Sequence, residues 1–253
     1  MISKVLKYSF VLAVVFPIVF LLGLSLAQQW QFPEILPQEW TFQHWGNSLF
    51  KQGDILESLF LSLGLSLTLA SLVSVLAFFM SKYIAYSKYR QQYMRLTLVP
   101  YILSPVVLAV TFQYYFTVAN LSGNFIGVLI AQLFFALPFG IVIFNNFWNA
   151  HLKSIEQLSF TLGASAWQSL LKVILPLSKP AIVLCFFQSF LVSWFEYGLT
   201  QFIGLGKVKT LTVMVFNFIN EANVFYAALA CVMLILPPIL LLYLNKRILI
   251  LAR

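Results

Sequence analysis

Six apolar runs constrain this chain more than any other feature. They lie near residues 8–27, 58–81, 97–119, 125–147, 181–203 and 226–245. A helix needs about 20 apolar residues to cross a bilayer, and each run meets that length. Composition agrees, with 9% of the 253 residues charged and 61% hydrophobic, where a soluble domain carries about a quarter charged residues. The expected fold is all-α: a polytopic membrane protein with six transmembrane helices in one domain over residues 1–253. The first run follows Lys4 and Lys7 and ends in Ser25-Leu26-Ala27, which imitates a signal peptidase site. Its apolar length exceeds the usual signal core of about 7–15 residues and further spans follow, so it reads as an uncleaved anchor. The run Leu211 to Ile219 is too short to span and is expected at the outer surface, between spans five and six.

The chain holds 15 Lys and Arg against 7 Asp and Glu, and for a membrane chain the distribution matters more than the excess. With the N-terminus inside, the inner set is Lys4, Lys7, Lys82, Lys88, Arg90, Arg95, Lys153, Lys172, Lys179, Lys246, Arg247 and Arg253. The outer set is Lys51, Lys207 and Lys209. This bias places both termini, and the loop between spans four and five at about 148–180, in the cytoplasm. The basic excess is therefore topological, and no nucleic-acid partner is expected. Cys185 and Cys231 fall inside apolar runs without spacing partners, and read as small buried hydrophobes.

The polar cytoplasmic segment from Ser154 to Ile182 carries two amphipathic patterns joined at Gly163. Ser154 and Gln157 fit a capping box, with Ile155, Leu158 and Leu162 on one face behind it. Ser165 and Gln168 fit a second box, followed by Trp167, Leu170, Leu171 and Ile174 at i, i+3, i+4 and i+7. Gly163 permits a sharp turn between the two helices. Pro176 and Pro180 are expected to stop the second helix.

Glycine, nine residues, then Val173-Ile174-Leu175-Pro176 resembles the signature loop of membrane permeases of binding-protein-dependent ABC importers. Gly163-Ala164-Ser165 with Trp167 matches a common elaboration of that loop. Gln157, Leu158 and Ser159 occupy its E-A-A positions, while Glu156 sits one residue earlier. The resemblance implies a type I importer permease of the group serving polyamines, thiamine, ferric iron and phosphonates, in a bacterial inner membrane. It implies a second permease subunit (the same or different), cytoplasmic ATP-binding subunits and an extracytoplasmic solute-binding protein. The docking loop would comprise Ser154, Ile155, Glu156, Gln157, Leu158, Leu162, Gly163, Ala164, Ser165, Trp167 and Pro176. No cofactor is implied for this chain, ATP being bound by the partner ATPase.

Glu196 is the ionisable residue well inside a predicted span. A charge in the bilayer centre costs at least about 2.5–3.5 kcal/mol, so it should face protein or water. One reading makes it a lining residue of the solute path, with Ser193 and Thr200 on the same helix face. The other makes it a carboxylate near the outer headgroups, or one hydrogen-bonded between helices. The resemblance adds that polyamine-, iron- and thiamine-type permeases often carry an acid followed by an aromatic near here, as in Glu196-Tyr197. Ser58, Ser62, Ser66, Ala70 and Ser74 form a small-residue stripe that favours close helix packing over a polar path. Pro100, Pro105, Pro138 and Pro237-Pro238 interrupt spans three, four and six. The outer loop at 28–57 holds Trp30, Trp40 and Trp45 with Pro33 and Pro37, and Glu34, Glu39, Asp54 and Glu57. It reads as a headgroup anchor, a docking surface for an extracytoplasmic partner, or both.

An enzyme is disfavoured. His44 and His151 fall on opposite sides of the bilayer, and one intramembrane carboxylate cannot form a dyad. No phosphate-binding G-x-x-x-x-G-K-[ST] sequence occurs, so ATP hydrolysis is expected on another chain. The remaining alternative is a channel or secondary transporter working without an ATPase.

Overall fold

The computed structural model describes residues 2–31, 34, 37–48 and 54–251. Pro33, Lys51 and Arg253 of the sequence reading lie outside the described residues. Helix α1 (Ile2–Ser25) leads into a short antiparallel ladder of β1 (Ala27–Gln29) and β2 (Glu39–Trp40), with Ala27 opposite Trp40. Then come α2 (Gln43–Gly46), α3 (Asp54–Tyr86), α4 (Arg90–Thr97), a 3-10 turn at Val99–Ile102, α5 (Pro105–Val118) and α6 (Phe125–Phe147). The remainder is α7 (Ala150–Thr161), α8 (Ala166–Ser169), a π turn at Leu170–Ile174, α9 (Leu175–Trp194), α10 (Gly198–Gly204), α11 (Leu211–Asn220) and α12 (Val224–Leu251).

The fold is all-α apart from the small ladder. Among the described residues five helices are long and apolar enough to cross a membrane, and a sixth follows if one bent pair counts as a span. That pair is span three. Arg90–Ile102 and Val106–Val118 meet at 92°, where Pro100 and Pro105 remove two backbone donors and fix φ. Ser104 then caps α5, its Oγ accepting from Val107 N. Pro138 and Pro237-Pro238, by contrast, lie inside unbroken helices.

Two expectations are corrected. Pro176 and Pro180 do not stop a helix, because Ala166 to Trp194 is helical throughout. A proline removes an i→i−4 bond and crowds the carbonyl four residues back, here that of Lys172. The π turn at Leu170–Ile174 widens the backbone over that carbonyl, so the chain absorbs Pro176 without ending. Span five, conversely, does not run to residue 203. It ends at Trp194, and α10 is a separate short helix.

The chain divides into two compact units. One comprises residues 1–62 with 209–240. Here α1 exposes apolar side chains from Leu6 to Leu22 and is buried only near Leu24 and Ser25, as a span facing lipid would be. The ten-residue α11 buries Leu211 through Val215, and Leu211 N donates to Ser62 Oγ at 2.7 Å. His44 stacks on Phe225 and meets Tyr226 edge-on.

The second unit comprises residues 63–208 with 241–253. Its core joins Leu69, Val73, Ala77 and Phe78 of α3 to Ala136, Ile141 and Phe144 of α6, with Trp148, Leu152 and Cys185. Ser66, Ala70 and Ser74 are buried, as the small-residue stripe requires for close packing. Gly140 completes the approach: a Cβ there would meet Ala77 Cβ at 2.6 Å and Val73 Cγ1 at 2.8 Å. Gly140→Leu is expected to cost about 1–3 kcal/mol through overpacking, read as a lowered thermal unfolding midpoint in detergent. An unchanged midpoint would mean that α3 and α6 do not approach this closely.

Candidate functional site

The segment around Gly163 is built from caps. Asn149, not Ser154, starts α7: its side chain accepts from Leu152 N at 2.9 Å. Ser154 lies one turn inside the helix and donates to the Ala150 carbonyl instead, so the first predicted box is displaced. Asparagine caps a helix as well as serine does, and the one five residues upstream is the cap used. The far end of α7 closes with Gly163 N donating to Phe160 O and Ala164 N to Ser159 O, both at 3.0 Å. That is a Schellman closure. It holds Gly163 at φ +85°, in space open enough that backbone strain alone selects glycine. The second box is present as read: Gln168 N donates to Ser165 Oγ and Ser165 N to Gln168 Oε1.

The pair is pinned to the second unit by one face. Leu152 is buried in the core, Ser159 Oγ and Ser169 Oγ are hydrogen-bonded at 2.6 Å, and Glu156 forms an ion pair with Lys82 of α3. Lys82 also lies over the Trp148 ring, whose Nε1 donates to Ser81 Oγ at 2.8 Å. Residues 152, 156 and 159 share this inward face. The predicted face of Ile155, Leu158 and Leu162 points the other way. Ile155 is half-buried, while Leu158 is 59% exposed, Leu162 80% and Trp167 66%. Gln157, Ser165 and Pro176 are exposed, and Ala164 is half-buried. A capped, anchored helix pair thus presents large apolar side chains outward, Leu158, Leu162 and Trp167 the most exposed of them.

The second cluster surrounds Glu196, in the gap between α9 and α10. Its carboxylate accepts from Leu199 N at 2.6 Å, Thr200 N at 2.9 Å and Thr200 Oγ1 at 2.8 Å. A continuous helix would give those two N–H groups to the carbonyls of Phe195 and Glu196. The side chain takes them instead, which breaks the helix without any proline and caps α10 with a carboxylate. Ser193 and Thr200 therefore do not share a helix face with Glu196. Thr200 meets it directly through its N–H and hydroxyl, while Ser193 reaches it through Gln132 of α6, which the sequence reading missed. Ser66 donates to Ser193 (3.1 Å), Ser193 to Gln132 Oε1 (2.6 Å) and Gln132 Nε2 to Thr200 Oγ1 (2.9 Å). Gln132 Nε2 also lies 3.5 Å from Glu196 Oε2. The signal for Gln132 was available: it is the one strongly polar side chain between Phe125 and Phe144. Among the described residues no group of His, Cys, Asp and Glu could hold a metal ion.

With this geometry in place, the chain matches the family of binding-protein-dependent transport system inner membrane components over residues 73–250, and it belongs to that family. A crystal structure of a bacterial ABC transporter involved in the import of the acidic polysaccharide alginate shares the fold. Its TM-score is 0.75 at 17% identity, over 97% of this chain and 94% of that one. The probable sulfate transport system permease protein of Chlorella vulgaris is 40% identical over 73 residues, which is 29% of this chain and 27% of that protein. The spermidine/putrescine transport system permease protein of Haemophilus influenzae is 29% identical over 136 residues, 52% of this chain and 51% of that protein. The matched stretches thus span about half or less of those two relatives.

Gln132→Leu is expected to leave the buried hydroxyls of Ser193 and Thr200 each short of one of two hydrogen-bond partners, at a cost of about 1–3 kcal/mol. Amide hydrogen exchange at residues 199 and 200 should accelerate in the variant; equal protection would show that the Gln132 link is unimportant to the break.

Proposed function

We propose that this chain is the permease subunit of an ATP-driven importer in a bacterial inner membrane, working as one domain with both termini cytoplasmic. In this reading it forms the solute path with a second permease subunit. Cytoplasmic ATP-binding subunits drive it, and an extracytoplasmic solute-binding protein delivers the solute. The observation that carries the reading is the outward apolar trio of Leu158, Leu162 and Trp167 on a doubly capped helix pair. In water such a patch has a strong drive to be covered. A groove on an ATPase would cover it, and closure of the ATPase dimer would then move α7 as a lever. The Lys82–Glu156 ion pair and Leu152 carry that motion to α3 and the core.

Glu196, Ser193 and Thr200 belong to the path wall in this reading. Glu196 keeps α10 folded back while Gln132 ties both halves of the break to α6, so the cluster shapes the path by holding the broken span. A polyamine, thiamine, ferric iron or a phosphonate is the proposed solute class. The polyamine reading gains support from the similarity to the spermidine/putrescine permease protein.

Gly163→Val would place a β-branched residue in the left-handed region at roughly 1–2 kcal/mol. It is expected to abolish uptake and co-purification of the ATPase while leaving membrane insertion intact. Normal uptake together with unchanged co-purification would defeat the coupling assignment. Glu196→Gln retains the shape but weakens the acceptor for two backbone N–H groups and a hydroxyl. Uptake kinetics should change more than assembly with the ATPase, and identical kinetics would remove Glu196 from the path.

A further inference from the structure

A groove of about 630 Å³ opens in the second unit between α3, α4 and α6. Its walls are almost wholly apolar and aromatic, with Phe79 and Tyr83 of α3, Tyr93 and Thr97 of α4, and Leu137 and Ile141 of α6. Two of these walls end on the same bond. Along α4, Thr97 and Tyr93 lead one turn further to Arg90; along α6, Leu137 and Ile141 lead to Asn145. Arg90 Nη2 donates to Asn145 Oδ1 at 3.1 Å, which bridges the two helices at the end of the groove. One donor of a five-donor fork is used there, and Arg90 is exposed.

The charge around this end is one-sided. From Ser58 to Phe147 the sequence contains no Asp or Glu, and its basic residues are Lys82, Lys88, Arg90 and Arg95. Lys82 is committed to Glu156; Lys88, Arg90 and Arg95 are exposed. An occupant must therefore be apolar along most of its length and anionic at one end. A helix from a second copy of this chain does not meet that need. By the charge reading Glu156 is the only carboxylate on the cytoplasmic side, and it is already paired. An anionic phospholipid meets both requirements, with an acyl chain against Phe79, Tyr83 and Leu137 and the phosphate on the Arg90 fork.

We propose that the groove between α3, α4 and α6 is a binding site for one anionic phospholipid of the cytoplasmic leaflet, its headgroup held by Arg90. The proposal rests on the membrane orientation given under Proposed function, but not on transport. Pro100, in the turn that follows α4, also lines the groove, so the bound lipid lies beside the first arm of the bent span three.

The test uses the full chain co-expressed with its ATPase, purified in mild detergent and exposed to equimolar phosphatidylglycerol and phosphatidylcholine. Native mass spectrometry then counts retained lipid. The wild type should keep one phosphatidylglycerol per permease chain in preference to phosphatidylcholine by about five-fold. Arg90→Ala should bring the ratio near one and Arg90→Lys should retain most of it. Leu137→Trp, which fills the groove, should lower retention of both lipids; if it does not assemble, Thr97→Phe tests the same space from α4. Equal retention of the two lipids by the wild type would overturn the proposal, as would an unchanged preference in Arg90→Ala. A Thr97→Cys cross-link between two permease chains in native membranes would overturn it too, assigning the groove to a second copy. Should the permease assemble with its ATPase and hold no lipid, the lipid site falls and the importer reading stands.

Discussion

An apolar protein cannot leave backbone N–H groups unpaired, and the rest of this structure depends on how that demand is met where helices break. At the gap between α9 and α10 it is met by the carboxylate of Glu196, which accepts two N–H groups of the following helix. The remaining polar atoms form a donor chain from Ser66 through Ser193, Gln132 and Thr200 to that same carboxylate. Ser193, Gln132 and Thr200 each have a partner on both sides, the condition under which a buried polar network rigidifies its surroundings. Near Pro105 the same demand is met by the Ser104 hydroxyl, and around Gly163 by the carbonyls of Ser159 and Phe160.

These closures have different mechanical consequences. The Schellman closure and the Ser165–Gln168 box fix the angle between α7 and α8, and the Lys82–Glu156 ion pair fixes α7 against α3. Glu156 stands one residue ahead of the position expected for an acid in the family loop. A shift of one residue turns a helix by about 100°, and here Glu156 is directed at Lys82 rather than outward. The outward surface that remains includes the apolar side chains of Leu158, Leu162 and Trp167. Leu152, Glu156 and Ser159 thus pack α7 to the body of the protein by apolar, ionic and hydrogen-bonding contacts together, while the opposite side carries exposed apolar surface.

Much of this was legible in the residues. The 125–147 span, the Ser165–Gln168 box, the turn at Gly163 and the close packing of the small-residue stripe follow from local chemistry that the structure retains. Local reasoning failed where two locally acceptable solutions competed. Ser154 could cap a helix, but Asn149 could too, and the earlier cap wins because it adds a turn that buries Leu152. Pro176 stops a helix only when nothing compensates for its missing donor, and the π turn compensates. The run 181–203 is apolar enough to continue; Glu196 breaks it by taking the N–H groups of Leu199 and Thr200, and the network that holds the break reaches Gln132, 64 residues away on α6. No window of sequence contains that pairing.

The uninterrupted course from Ala166 to Trp194 joins the capped helix pair to the Glu196 break by a single shaft. At 1.5 Å per residue its 29 residues extend about 43 Å. A shaft of this kind transmits torque as well as displacement, so Trp167 at one end and Ser193 at the other hold a defined angular phase. The π turn at Leu170–Ile174 is part of that phase, since a wider turn changes how far the helix rotates over those residues. Deleting the extra width would leave both end sites chemically intact and rotate one of them relative to the other. The proline accommodated there therefore sets the angle between the Trp167 end of the shaft and the Glu196 break.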